Sequence, residues 1–179
     1  MNRLSEKSSS CMDYFPATFG SLLFISQIIV GVYLLSEVSQ IEILAYFGVG
    51  LYVFSGMIFG LLPVFEFRRK GGVGKGQSYT QTTKLVDTGI YSIVRHPQYV
   101  TFILFAIAGI LLFQNLIVIL LGVSIFPLTY IDLKKADKDA IKKFGDDYKA
   151  YMKKVPRANF LLGLLRLSRR RRKQSQAEA

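Results

Sequence analysis

Two scarcities narrow the possibilities for this chain at once. A single cysteine, Cys11, rules out an intrachain disulfide and leaves at most a lipidation site near the first apolar run, with an inert thiol the plainer reading. A single histidine, His96, and no Cys- or carboxylate-rich ligand spacing argue against a metal site, structural zinc included. Acidic residues are also few, 12 against 23 Lys and Arg, for a formal net charge of +11. What is abundant is apolar: 51% of 179 residues are hydrophobic while 20% are charged, and the two kinds lie in separate blocks. Long apolar runs with few charges indicate a membrane protein rather than a soluble core. Basic residues between and after such runs orient the chain and favour anionic headgroups. A basic tail can also serve nucleic acid, but here it follows directly on membrane segments, so no nucleic-acid partner is expected.

The expected organisation is all-α and polytopic, with about four transmembrane helices and a cytosolic or interfacial amphipathic C-terminal helix. Residues 1–13 are polar and serine-rich and read as a flexible N-terminus. Residues 14–65 hold two apolar runs, Pro16–Leu35 and Ile41–Leu62, the second ending at Pro63. The first is too long for a signal peptide and is followed by more spans, so an uncleaved helix is expected. About 20 residues at ~1.5 Å each cross a ~30 Å hydrocarbon layer. Residues 66–96 form a basic linker. Its Gly71–Gly76 stretch suggests a phosphate loop, but Lys75 is not followed by Ser or Thr. Residues 97–132 are apolar again, broken at Gln114-Asn115, and read as a helical hairpin. In residues 133–167, Leu133, Ala136, Ala140, Phe144, Tyr148, Tyr151 and Val155 recur at helical steps and define an amphipathic region. Residues 168–179 read as a basic disordered tail.

Segment Glu66–Arg95 carries six Lys or Arg against two acids, while the Gln114-Asn115 turn carries no charge. The positive-inside rule puts the basic segment in the cytosol. Four spans then put both termini there in a multi-pass integral membrane protein. Gly56 and Gly60 in the second run form a Gly-x-x-x-Gly pattern, whose default meaning is close helix packing.

The chemistry concentrates in Leu85–Tyr99, where Arg95, His96, Pro97 and the tyrosines Tyr91 and Tyr99 gather at the mouth of an apolar helix. A helix opened by Pro97 offers free N–H groups and a positive dipole end, a seat for a carboxylate. Snorkelling arginine and interfacial aromatics account for the same residues without function. Val94-Arg95-His96-Pro97-Gln98-Tyr99, preceded by Thr88-Gly89-Ile90-Tyr91, resembles the signature of the isoprenylcysteine carboxyl methyltransferase and phospholipid methyltransferase superfamily. Lys143–Tyr151 and Val155-Pro156-Arg157 are similar to that family's C-terminal block. The resemblance covers about Leu85–Arg157 and implies S-adenosyl-L-methionine as cofactor, with a lipid-like substrate entering from the bilayer. It implies that Tyr91, Arg95, His96, Pro97 and Tyr99 bind the cofactor.

The chain also departs from the family pattern. Where the family has a Glu-Glu pair, this sequence has Ala136 and Asp137, and an arginine some four residues earlier is replaced by Asp132. Asp137 and Asp132 are the candidate catalytic carboxylates. A carboxylate nucleophile calls for a cation to orient it, whereas an amine or hydroxyl calls for a proton acceptor. The two aspartates therefore suggest a lipid headgroup amine or hydroxyl as substrate rather than a prenylcysteine carboxylate. Two other readings stay open: an NADPH-dependent membrane reductase, and a non-catalytic membrane scaffold or lipid-binding relative.

Overall fold

The computed structural model describes residues 19–35, 41–74, 76 and 82–177. Expectations for residues 1–13, for Cys11, for the turn at 36–40 and for Lys75 lie outside that set. The regular elements among the described residues are all helical. They are α1 (Phe19–Tyr33), α2 (Glu42–Lys70), α3 (Pro97–Phe113), α4 (Leu116–Lys154) and α5 (Phe160–Ala177), with a 3-10 turn at Gly89–Ser92. Helices α2 and α4 are long and apolar enough to cross a membrane, while α1 and α3 are apolar but shorter. Only 22% of the apolar window of α2 and 28% of that of α4 is buried. The core helix of a soluble protein would bury most of such a window; these turn Ile43, Tyr46 and Leu116 outward, as lipid-facing helices do.

Three boundaries differ from the sequence expectation. Helix α2 does not stop at Leu62 but runs to Lys70. A π-helical turn at Gly56–Leu61 shifts the hydrogen-bond register, so that Pro63 falls in the first turn of a fresh α segment, Leu62–Lys70. There its missing N–H costs little. Helix α4 does not restart at Leu133. The helix continues from the apolar run through Pro127 to a kink at Gly145, at φ 59 and ψ −130, beyond which a second helical stretch runs to Lys154. The change from apolar to charged near Asp132 alters what the helix faces and contains no backbone breaker. The basic run Arg169–Lys173, expected as a disordered tail, is helical and continues α5; Arg, Lys and Gln are good helix formers. The break at Gln114-Asn115 falls where the sequence put it.

The chain divides into two compact units, one drawing on residues up to Val53 and on Phe102–Lys135, the other on Phe54–Thr101 and the residues from Ala136 onward. The first unit packs by shape. Phe24, Phe105 and Tyr52 stack, with ring centroids of Tyr52 and Phe105 4.1 Å apart and those of Phe24 and Phe105 5.7 Å apart. Gly48 lets α2 lie directly on α3: a Cβ there would sit 2.9 Å from the Ala108 carbonyl oxygen and from the Leu112 nitrogen. The buried Gln27 amide donates to the carbonyls of Ala106 at 3.0 Å and Val118 at 3.4 Å. At the hairpin turn Gln114 adopts φ 49. Its side chain accepts from Ile41 N and donates to the carbonyls of Ile41 and Leu111, while Asn115 Oδ1 accepts from Ile117 N at 2.8 Å. One side chain thus serves the start of α2 and the end of α3, and the other serves the start of α4.

Candidate active site

The second unit carries the polar chemistry. Backbone bonds from Arg95 N to Pro156 O and from His96 N to Arg157 O, both 3.1 Å, tie the segment before α3 to the segment after α4. Tyr151 adds a 2.6 Å bond from its hydroxyl to the Tyr91 carbonyl. These three bonds set the register in which the side chains of the two segments face one another.

They meet on Asp137, whose side chain is 4% exposed. Oδ1 accepts from His96 Nε2 at 2.8 Å and from Tyr148 Oη at 2.7 Å. Oδ2 accepts from Arg157 Nε at 2.6 Å. Arg95 Nη1 lies 3.1 Å from Oδ1, at ion-pair distance but at an angle that makes no hydrogen bond, and Arg95 Nε has no acceptor at all. The Tyr148 hydroxyl also reaches 3.3 Å from His96 Nε2, and its ring lies under the Arg95 guanidinium at 5.9 Å.

Burial is the strongest single influence on Asp137 and disfavours its charge. The hydrogen bonds from His96 and Tyr148, the charge of His96 and the bond from Arg157 together outweigh it. The carboxyl is held well below the usual carboxylate range and stays ionised. Burial first, then the bond to Asp137 and its negative charge, push the Tyr148 hydroxyl up. Burial also raises Tyr151, with Tyr148 and Tyr91 adding to it. Neither tyrosine ionises near neutral pH.

Beside this cluster opens a cleft of about 100 Å³. Phe67, Tyr91, Phe144 and Tyr148 supply aromatic walls, and Lys84, Arg95 and His96 supply polar ones. Phe67 and Tyr91 stack with centroids 4.4 Å apart and planes 8° from parallel. The loop reaches the cleft because Thr83 N and Lys84 N both bond to the Gly71 carbonyl just past α2.

The structure treats the expected site residues differently. Tyr91, Arg95 and His96 line the cleft, and Asp137 joins Arg95 and His96. Pro97 is fully buried at the start of α3 and is not among the cleft-lining residues. Tyr99 is half-buried and meets the His96 ring edge-on at 5.8 Å. Asp132 is buried but belongs to the other unit. Asp137, expected as a proton acceptor, already accepts three hydrogen bonds, from His96, Tyr148 and Arg157, with Arg95 at ion-pair distance. The site also includes residues not expected in it. Tyr148 and Tyr151 read as the apolar face of an amphipathic helix, and Arg157 as the end of a sequence block. Their spacing of 11 and 20 residues from Asp137 for Tyr148 and Arg157 gave no sign of contact. Lys84 carried no signal beyond its place in a basic linker.

Residues 77–136 match the isoprenylcysteine carboxyl methyltransferase (ICMT) family. That stretch contains Tyr91, Arg95 and His96 and ends one residue before Asp137. The protein-S-isoprenylcysteine O-methyltransferase of Schizosaccharomyces pombe is 31% identical over 115 residues, which is 58% of this chain and 48% of that protein. The chain therefore spans about half the length of the curated relative it matches. No solved structure matches. The Arg-His-Pro segment thus lies inside the stretch that resembles the isoprenylcysteine carboxyl methyltransferase family, and a relative of that name aligns over more than half of the chain.

Proposed function

We propose that this protein is a multi-pass membrane methyltransferase, with both termini cytoplasmic, that moves a methyl group from S-adenosylmethionine to a lipophilic substrate. The observation that carries the reading is the convergence of Arg95, His96, Tyr148 and Arg157 on Asp137 beside an aromatic cleft. The cleft's lining suits the cofactor. The buried, partnerless Nε of Arg95 and the Lys84 ammonium suit an anionic end, and the Phe67, Tyr91 and Phe144 rings suit a flat base. When bound, the cofactor supplies an electrophilic methyl on a sulfonium. The chain's own part is to bind, orient and exclude water. Asp137 fixes the Arg95 guanidinium and the His96 ring, and Tyr148 closes the network from α4. Pro97 and Tyr99 support the ring of His96 from the start of α3.

The hydrogen bonding of Asp137 bears on the substrate class. The expectation of an amine or hydroxyl rested on Asp137 and Asp132 as proton acceptors. With Asp137 accepting three hydrogen bonds and held ionised, the better substrate is one whose nucleophile arrives already deprotonated. A lipid-linked carboxylate of the prenylcysteine kind, named in the yeast relative, meets that condition and enters from the bilayer. Anionic headgroups are the partners of the basic run Arg169–Lys173.

The test is calorimetric titration of detergent-purified protein with S-adenosylhomocysteine, wild type against His96→Ala, followed by methyl-transfer assays on a prenylcysteine and on a lipid amine. Micromolar binding by wild type, lost in the variant, and activity on the prenylcysteine are expected. Equal binding by the two proteins would remove His96 from the site. Activity on the amine alone would restore a base to the mechanism. Binding of NADPH in place of the S-adenosyl ligand would favour a reductase, and binding of neither a non-catalytic relative.

A further inference from the structure

Helix α5 is apolar at one end and cationic at the other. Leu161, Leu162, Leu164 and Leu165 in its first two turns are exposed, and Arg169, Arg171, Arg172 and Lys173 beyond them are exposed as well. The latter half of α2, in the same unit, repeats the order: Met57, Leu61 and Phe65 are exposed, then Arg68, Arg69 and Lys70 follow. Contacts fix how the two helices lie. The Phe160 ring meets Phe59 at 5.3 Å near the apolar start of each. Farther along, Phe67 stacks on Tyr91 while Arg170 donates to the Ser92 carbonyl at 2.8 Å. Both helices therefore run the same way from the Phe59–Phe160 contact to the Gly89–Ser92 turn, and their cations gather at the same end. Gly163 makes this possible, because a Cβ there would collide with the Ile93 carbonyl oxygen.

We propose that the outward faces of α5 and of the end of α2 form one docking surface for an anionic bilayer, the leucines entering the acyl boundary and the two cationic ends meeting acidic headgroups. The proposal rests on the membrane reading of this chain and is independent of methyl transfer. A purely structural tail would show no reason for its leucines to be exposed beside a second apolar-to-cationic helix. A nucleic-acid-binding tail would have no use for the leucines. Apolar insertion and attraction to acidic headgroups act together in such helices, and salt weakens the second.

The experiment uses the full chain in nanodiscs. In a Cys11→Ser background, Leu165→Cys is labelled with a fluorophore quenched by doxyl lipids. Discs of phosphatidylcholine are compared with discs increasingly doped with phosphatidylserine. Quenching should rise with phosphatidylserine and fall at high salt. In the Arg169→Gln, Arg171→Gln, Arg172→Gln, Lys173→Gln variant, which spares the Arg170–Ser92 contact, the midpoint should move to higher phosphatidylserine, the docking equilibrium at a given phosphatidylserine content falling by about fivefold per cation removed. Equal quenching in both lipids, an unchanged midpoint in the variant, or a response to a short RNA duplex and not to phosphatidylserine would overturn the proposal. Protein that stays in the aqueous phase without lipid or detergent would overturn the membrane reading with it. Loss of S-adenosylhomocysteine binding would touch only the methyltransferase reading.

Discussion

The two units of this chain hold themselves together by opposite means. In the first, rings stack, backbones touch at Gly48, and the buried Gln27 amide donates to helix carbonyls. In the second, one carboxylate gathers two arginines, a histidine and a tyrosine. Lipid is as apolar as a leucine side chain, so helices within it gain nothing from hiding leucine and must fit by shape. Where the chain leaves the hydrocarbon, charge can be used, and a charge network can aim side chains as well as stabilise. The candidate site belongs to the unit that holds this charge network.

The sharpest way to break this contrast is Asp137→Ala. It leaves Arg95 buried beside Arg157 with no counter-ion, and removing one partner of a buried pair costs about 3–5 kcal/mol. Chemical denaturation in detergent should show that loss, together with loss of S-adenosylhomocysteine binding. A cost near zero would mean that the cluster is solvated and that the second unit is held by packing after all.

The matching test in the first unit is Gly48→Leu. The added side chain must displace the α3 backbone at Ala108 and Leu112, and overpacking of this kind costs about 1–3 kcal/mol. The same measurement should show destabilisation with cofactor-ligand affinity unchanged. Equal loss of affinity would tie the two units more closely than their separate contacts suggest.

How far the sequence reached differs between the units in the same sense. Apolar runs and the Gln114-Asn115 break were legible, because length and composition decide them locally. The passage of α2 through Pro63 was not, since it depends on a π turn that no residue pattern announces. The Arg95–His96 segment was legible as chemistry, but its partners were not. Asp137 lies 41 residues from His96, and Tyr148 lies 52 from it. Contacts over such distances are set by how helices pack. The three donors and the arginine around Asp137 were hidden for the same reason.

Acid should separate the units by a smaller margin. The Asp137 carboxyl is lowered in the folded protein, so its contribution is complete above the ordinary aspartate value of about 3.9 and drains away as pH falls below it. Between about pH 7 and about pH 5 this carboxylate should therefore add no pH dependence to stability. Below about pH 4 wild type should lose stability faster than Asp137→Asn, which has no such proton to take up. Parallel acid curves for the two proteins would show that the carboxyl is not held low.

Tyr151→Phe and Gln27→Met compare single hydrogen bonds across the two units. Tyr151 is 5% exposed, and its bond to the Tyr91 carbonyl joins α4 to the cleft wall. Phenylalanine keeps the ring and leaves that carbonyl without its hydroxyl donor, at a cost of about 1 kcal/mol. Gln27 donates twice, yet its Oε1 is buried with no partner. Methionine removes the two donors and the stranded acceptor together. The carbonyls it abandons are helical ones, and polar side chains between membrane helices average about 0.6 kcal/mol. Gln27→Met should therefore cost less than Tyr151→Phe in the same denaturation assay. The reverse order would mean that the Gln27 amide, rather than shape, is what holds α1 to the apolar unit.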